Sequence, residues 1–396
     1  MAWSLINRLS LLFSRSKPSR RLMTPGALPL PVELILMIMK LLDYKDMISV
    51  LQTCHAMKSI VETCIYGHIV VPYYDHLRMS RLLQTLHTRP ELARNIITFD
   101  GSLYLAPRKS RFSRVVPRTS LGKSWFGQRS TKRHVSRTTV AILHRMVNVK
   151  SLKLYELTWL GTESQTLVCN AICSTMSLTS LTIQGYGLFH SSRHPDSDSQ
   201  LSAILRHQPL LERLELEGEW DLEQWILPTD VPHLTHLMSR PGEAKFFIPG
   251  RPIASLSLME IRAAPDKDFW EALSTSASSI HTLKVNILKD GALLPVLQLL
   301  STHLRDVQDL SLEGPYYENL PMLTAGFPSF LSVRTLHLTV WEHCCPIHKE
   351  EHINNLRTDL IARVQLECPQ LESLEYGHFS RCGSNRLACQ SFHTFV

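Results

Sequence analysis

VKSLKLY at 149–155, LTSLTIQ at 178–184 and LERLELE at 211–217 share one pattern: apolar, two others, apolar, one other, apolar. The apolar positions are Val149, Leu152 and Leu154, then Leu178, Leu181 and Ile183, then Leu211, Leu214 and Leu216. Further copies stand at Ile253/Leu256/Leu258, Ile280/Leu283/Val285, Val307/Leu310/Leu312, Val333/Leu336/Leu338 and Leu371/Leu374/Tyr376, with a weaker one at Leu234/Leu237. Their first positions are 29, 33, 23, 19, 27, 27, 26 and 38 residues apart. Alternation at the end of each copy predicts a short strand with one buried face. Helix-like stretches lie between copies, at Gln200–His207, Gly291–His303 and His352–Cys368. A motif recurring every ~20–50 residues marks a stacked array, whose units bury their apolar faces only against neighbours.

The rest of the chain frames that array. Its 396 residues contain 63 leucines, 44% hydrophobic and 19% charged residues, which excludes wholesale disorder. No apolar run approaches the ~18 residues of a membrane span. The net charge of +7 is unevenly placed. Residues 1–32 carry five cations and no acid, and residues 107–137 carry ten and no acid, which leaves −8 elsewhere. The folded body is therefore expected to be mildly acidic, and nucleic-acid binding is not expected. The stretch at 107–137 reads as an exposed basic loop. At the N-terminus, Leu5, Ile6, Leu9, Leu12 and Phe13 recur at helical spacing among Arg8, Arg15, Lys17, Arg20 and Arg21. Two readings stand side by side there: a basic disordered tail over 1–27, and an amphipathic mitochondrial targeting segment. Nine cysteines without a CxxC pair favour a reducing compartment, cytoplasmic or nuclear.

Residues 28–70 form a separate short unit. Pro31 and Glu33 suit a first helical turn, followed by an apolar stripe at Leu34, Ile38, Leu41 and Leu42. Asp43 and Asp46 bracket a break and can cap a second helix, and a third runs over Cys54–Tyr66 with Met57, Ile60, Val61 and Cys64. Three short helices make a small core that needs a neighbour or a partner. A helix at Leu77–Thr88 and a short strand near Ile96–Phe99 follow.

Catalytic signatures are absent: there is no GxSxG, HExxH, Walker or GxGxxG pattern. His343, Cys344, Cys345, His348 and His352, with Cys382 and Cys389 further on, are the densest metal-capable group, but their spacing is not that of a four-ligand zinc site. No catalytic residue, cofactor or metal is expected. The polar residues alternating with the apolar triplets define an open surface of mixed charge. Lys153, Tyr155, Glu215, Glu217, Lys284, Glu313 and His337 are its candidate substrate-binding residues, beside Thr182, Gln184 and Asn286.

Residues 28–70 resemble an F-box through Leu30-Pro31, Glu33-Leu34, Ile38, Leu41-Leu42-Asp43, Lys45-Asp46-Met47 and Thr53-Cys54. Many F-boxes carry a tryptophan in the third helix; here Met57 stands near that place, and its flexible thioether can fill the same gap. The array from 149 resembles leucine-rich repeats. That consensus puts Asn or Cys three residues past each triplet, where this chain has Leu157, Tyr186, Glu219, Ile261, Leu288, Pro315, Trp341 and Phe379. A side-chain ladder is thus not expected, and loops of variable length are. The resemblance implies an α/β fold: a small three-helix F-box at 28–70, then an irregular leucine-rich-repeat solenoid over 71–396, its parallel short strands alternating with helices. It further implies a non-enzymatic substrate receptor of a Skp–cullin–F-box (SCF) ubiquitin ligase, binding a Skp-type adaptor, through it a cullin, and an unidentified protein substrate. The adaptor candidates so implied are Leu30, Pro31, Leu34, Ile38, Leu41, Leu42, Leu51 and Cys54, several of which the unit's own core also needs. The alternative is a scaffold or binding protein acting without the cullin machinery.

Overall fold

The computed structural model describes residues 30–52, 55–72, 75–103, 137–155, 162–184, 200–218, 226–261, 265–287, 293–316, 332–342, 370–382 and 386–395, with single positions at 358, 362, 364 and 366. The tail at 1–27, the basic stretch up to 136, Cys54, and the group His343–His352 lie outside them. Three helices open the described chain: α1 (Val32–Lys40), α2 (Tyr44–Leu51) and α3 (His55–Gly67). The Asp43 carboxylate accepts the Asp46 N–H at 2.8 Å and caps α2, the role its spacing suggested. Ile35, Met39, Val50, Met57 and Val61 form the unit's small buried core.

The chain passes directly from α3 into β1 (His68–Val70), then α4 (His76–Thr88), α5 (Pro90–Arg94) and β2 (Thr98–Ser102). From there strands and helices alternate: α6 (Arg137–Leu143), β3 (Ser151–Tyr155), α7 (Thr162–Thr175), β4 (Ser180–Gln184), α8 (Gln200–Arg206) and β5 (Arg213–Glu217). Next come β6 (His236–Ser239), α9 (Pro241–Phe247), β7 (Ser255–Ile261), α10 (Lys267–Ser274), β8 (Thr282–Ile287) and α11 (Leu293–His303). The chain ends with β9 (Asp309–Tyr316), β10 (Thr335–Glu342), β11 (Ser373–Cys382) and β12 (Arg386–Phe395). Among the described residues no helix is long and apolar enough to cross a membrane.

All twelve strands form one sheet in strict chain order. The first eleven are parallel; β12 runs antiparallel to β11. This is a solenoid-like arrangement, with helices supplying the crossovers that parallel neighbours require. The triplets stay in register across it. Leu152 pairs with Leu181, then Leu214, Leu237, Leu256, Leu283, Leu310, Leu336 and Leu374. Helix residues such as Ile172, Ile204, Phe247, Phe269 and Leu297 close over these columns, giving one continuous core.

Two units precede those marked by the triplet. Phe99 of β2 pairs with Leu152, and Ile69 of β1 with Phe99, so the array begins at His68. The second unit was hidden because Gly101 stands where a third apolar residue belongs. A Cβ there would sit 2.4 Å from Met79 Cε, so a methionine from α4 occupies the space instead. The strand predicted near Ile96–Phe99 accordingly runs over Thr98–Ser102.

Backbone and buried side chains do the work of the missing Asn ladder. From Ile97 before β2 to Arg334 before β10, one carbonyl at each strand start accepts two successive N–H groups of the next unit. Lys150 receives Thr179 and Ser180, Thr179 receives Glu212 and Arg213, and the pattern continues to Arg334, which receives Glu372 and Ser373. Gln208 is buried; its side chain accepts the Leu178 N–H at 2.7 Å and donates to the Met176 carbonyl at 3.1 Å, tying the end of α7 to the turn before β4. Arg251, fully buried, donates to the carbonyls of Phe246, Phe247 and Leu227. Burial pushes its guanidinium down to about 10. A bulge in β7 puts Glu260 at φ 53°, where it pairs with Arg240.

Candidate adaptor face and strand surface

Helix α1 is apolar almost all round, with only Glu33 and Lys40 charged. Such a helix must cover more than one side. Ile35 and Met39 face the unit's own core, and Ile38 and Leu42 pack half-buried beside them. A second stripe at i, i+3 and i+7 is left uncovered: Leu34 is 45% exposed, Met37 62% and Leu41 84%. The eight adaptor candidates therefore divide. Pro31, Leu34 and Leu41 are exposed; Leu30, Ile38, Leu42 and Leu51 pack on the core; Cys54 is outside the described residues. Leu34 and Ile38 fall on opposite sides of that division. Met37 was not among the candidates, and Val32, Tyr44 and Ile48 are exposed as well. Contiguous exposed apolar side chains on so small a unit mark a contact surface. Met57 is buried in the core, filling it as its thioether allows.

This face is held against the array by α3. Its first half packs in the small core through Met57 and Val61, while Tyr66 near its end packs on the core of the array. Arg89, between α4 and α5, grips the nearly buried Glu62 of α3 with two parallel hydrogen bonds of 2.7 and 2.8 Å. It also donates to Glu91 at 2.9 Å. Bonds to Glu62, then to Glu91, raise the affinity of Arg89 for its proton.

The seven candidate substrate residues all lie on strands at positions alternating with the core columns, but not as one cluster. Lys153 on β3 and His337 on β10 are seven strands apart, about 34 Å at ~4.8 Å per strand. The structure gathers them in neighbouring pairs. Lys284 meets Glu313 at 2.6 Å, and His337 meets Glu375 at 2.7 Å. Thr182 donates to Glu215 at 2.9 Å, with Arg213 at 3.9 Å. Lys153 Nζ stands 5.3 Å from the Tyr155 ring centre. Burial, then a hydrogen bond to Asp100, pushes the Tyr155 phenol up. Burial works against charge on Lys153, but Tyr155, Asp100 and Glu217 outweigh it and its pKa rises. Lys284–Glu313, His337–Glu375 and Thr182–Glu215 are cross-strand pairs, whereas Lys153–Tyr155 and Arg213–Glu215 lie within one strand. Sequence reading missed Asp100, whose unit the triplet did not mark. Asp100 Oδ1, Ser257 Oγ and Asn286 Oδ1 are buried without a hydrogen-bond partner among the described residues.

Cys169 and Cys173 both pack on the array core; burial pushes Cys169 up to about 12 and raises Cys173 as well, so both are poor nucleophiles. Among the described residues no three His, Cys, Asp or Glu side chains converge as a metal site. Compared with curated protein sequences, the chain has no match. Residues 28–71 match the family described as F-box-like. The three helices with the uncovered Leu34–Met37–Leu41 stripe are thus an F-box-like domain.

Proposed function

We propose that this chain is the substrate-recognition subunit of an SCF-type ubiquitin ligase. The observation that carries this reading is the F-box-like match at 28–71 together with the exposed stripe on α1. A Skp-type adaptor covers that stripe and links the chain to a cullin. The parallel units from β1 to β11 are leucine-rich repeats, and their polar strand face receives a protein substrate. No residue of this chain performs chemistry. Holding a substrate beside a ubiquitin-charged enzyme raises its effective concentration, and the transfer belongs to that enzyme. The working compartment is the cytoplasm or nucleus.

Pull-down with a Skp-type adaptor tests the reading. Leu34→Asp and Leu41→Asp change exposed side chains, so folding is kept while a charge is buried in the contact. Expected is a loss of about 2–3 kcal/mol, roughly 30- to 150-fold in Kd. Absence of binding by the unaltered chain overturns the proposal.

A further inference from the structure

An open groove of about 850 Å³ separates the F-box-like domain from the first units of the array. It uses a side of α1 distinct from the exposed stripe. Met39, Leu42 and Met47 contribute from the helices, and Ile69 and Val71 from β1 and the residue after it. Along it Tyr44, Val70 and Ile97 are 57%, 60% and 43% exposed. Lys40 stands on the F-box wall, and Arg78 and Arg81, which share a face of α4, stand on the opposite wall. No Asp or Glu lines the groove. Among the described residues none of the three cations makes an ion pair. Asp75 accepts the Arg78 backbone N–H, Asp43 accepts the Asp46 N–H, and Glu62 is held by Arg89.

We propose that this groove receives an acidic amphipathic segment of a protein partner. Its apolar side chains cover Tyr44, Val70 and Ile97, and its carboxylates lie between Lys40 and the Arg78/Arg81 pair. Cations on two opposing walls call for anions on both flanks of an apolar ridge, which a polypeptide presents and a single-headed small molecule does not. Three cations over an apolar floor are also too few for a nucleic-acid backbone, where ~6–10 phosphate contacts are usual. Uncompensated charge at a concave site steers association and fixes register.

The test is fluorescence anisotropy on the full chain with a labelled Leu/Glu peptide of about fifteen residues at helical spacing, and its Gln-for-Glu counterpart. Expected is saturable binding of the acidic peptide, weakened about tenfold by Arg78→Glu/Arg81→Glu or by Lys40→Glu and lowered by added salt. The Gln peptide is expected to bind about tenfold less tightly. Circular dichroism checks that the exposed charge reversals leave the fold intact. Binding that ignores the charge reversals, equal binding of the Gln peptide, or no saturable binding overturns the proposal. Displacement of the peptide by a Skp-type adaptor assigns the groove to that adaptor and also overturns it. Leu41→Asp is expected to lose the adaptor while keeping the peptide, so the two proposals fail separately.

Discussion

Gly101 illustrates how one position can conceal a whole repeat unit. Its place in the column is filled by Met79 from α4, a side chain with three rotatable bonds. Gly101→Ala is therefore expected to cost under about 1 kcal/mol, because the methionine tip can yield, whereas Gly101→Leu overpacks the site by about 1–3 kcal/mol. Urea denaturation of Gly101→Leu with and without Met79→Ala checks this, with partial recovery expected in the double variant. The same position shows what the sequence could not display. The triplets from 149 onward read directly as strands because the apolar residues come from the strand itself. The second unit borrows its third residue from a helix 22 positions upstream, and no local pattern reports that. On α1 the failure was different: a helix apolar on every side has no single stripe, so the expected stripe mixed Ile38 and Leu42, which pack on the core, with the exposed Leu34 and Leu41. His236 carries a pH dependence. Burial, then the nearby Arg213, lowers its pKa below the ordinary ~6.5, so the unfolded chain binds the proton more readily. Stability is thus expected to fall as pH drops through about 6.5, and His236→Gln to flatten that fall in thermal melts at several pH values.

Between elements, joints rather than strands distinguish one unit from the next. The carbonyl that accepts two N–H groups recurs at nearly every strand start, independent of side chain, which is why an array without asparagines at the turn still stacks. Gln208 adds a sequence-specific joint between α7, β4 and the end of α8. Gln208→Ala strands a buried N–H and a carbonyl, at a cost of about 3 kcal/mol. Gln208→Glu keeps the shape but aims a carboxylate at the Met176 carbonyl. Its folded-state pKa is expected to rise, so its deficit at neutral pH should shrink as pH falls and the carboxyl protonates, measured by denaturant titration at both ends. Such a joint was illegible beforehand, since a glutamine after a helix is ordinarily a solvated one. The alternating surface residues were legible by position, but their cross-strand pairing was not, because it depends on the register of strands about 30 residues apart.

Over the whole molecule, a three-helix unit and a long array are joined by α3. Arg89→Ala is expected to cost about 2 kcal/mol at that joint, since Glu62 would keep its desolvation without its partner. Hydrogen exchange should then show earlier opening of α3 than of the strands beyond β2. From α3 the sheet extends eleven strand steps from β1 to β12, about 53 Å at ~4.8 Å each. It is a lever arm, and α3 with the Arg89–Glu62 clamp is its fulcrum. A tilt of about 5° at that fulcrum would swing the last strand by ~5 Å, roughly one strand spacing. Stiffness at one arginine thus sets how tightly the far end is aimed.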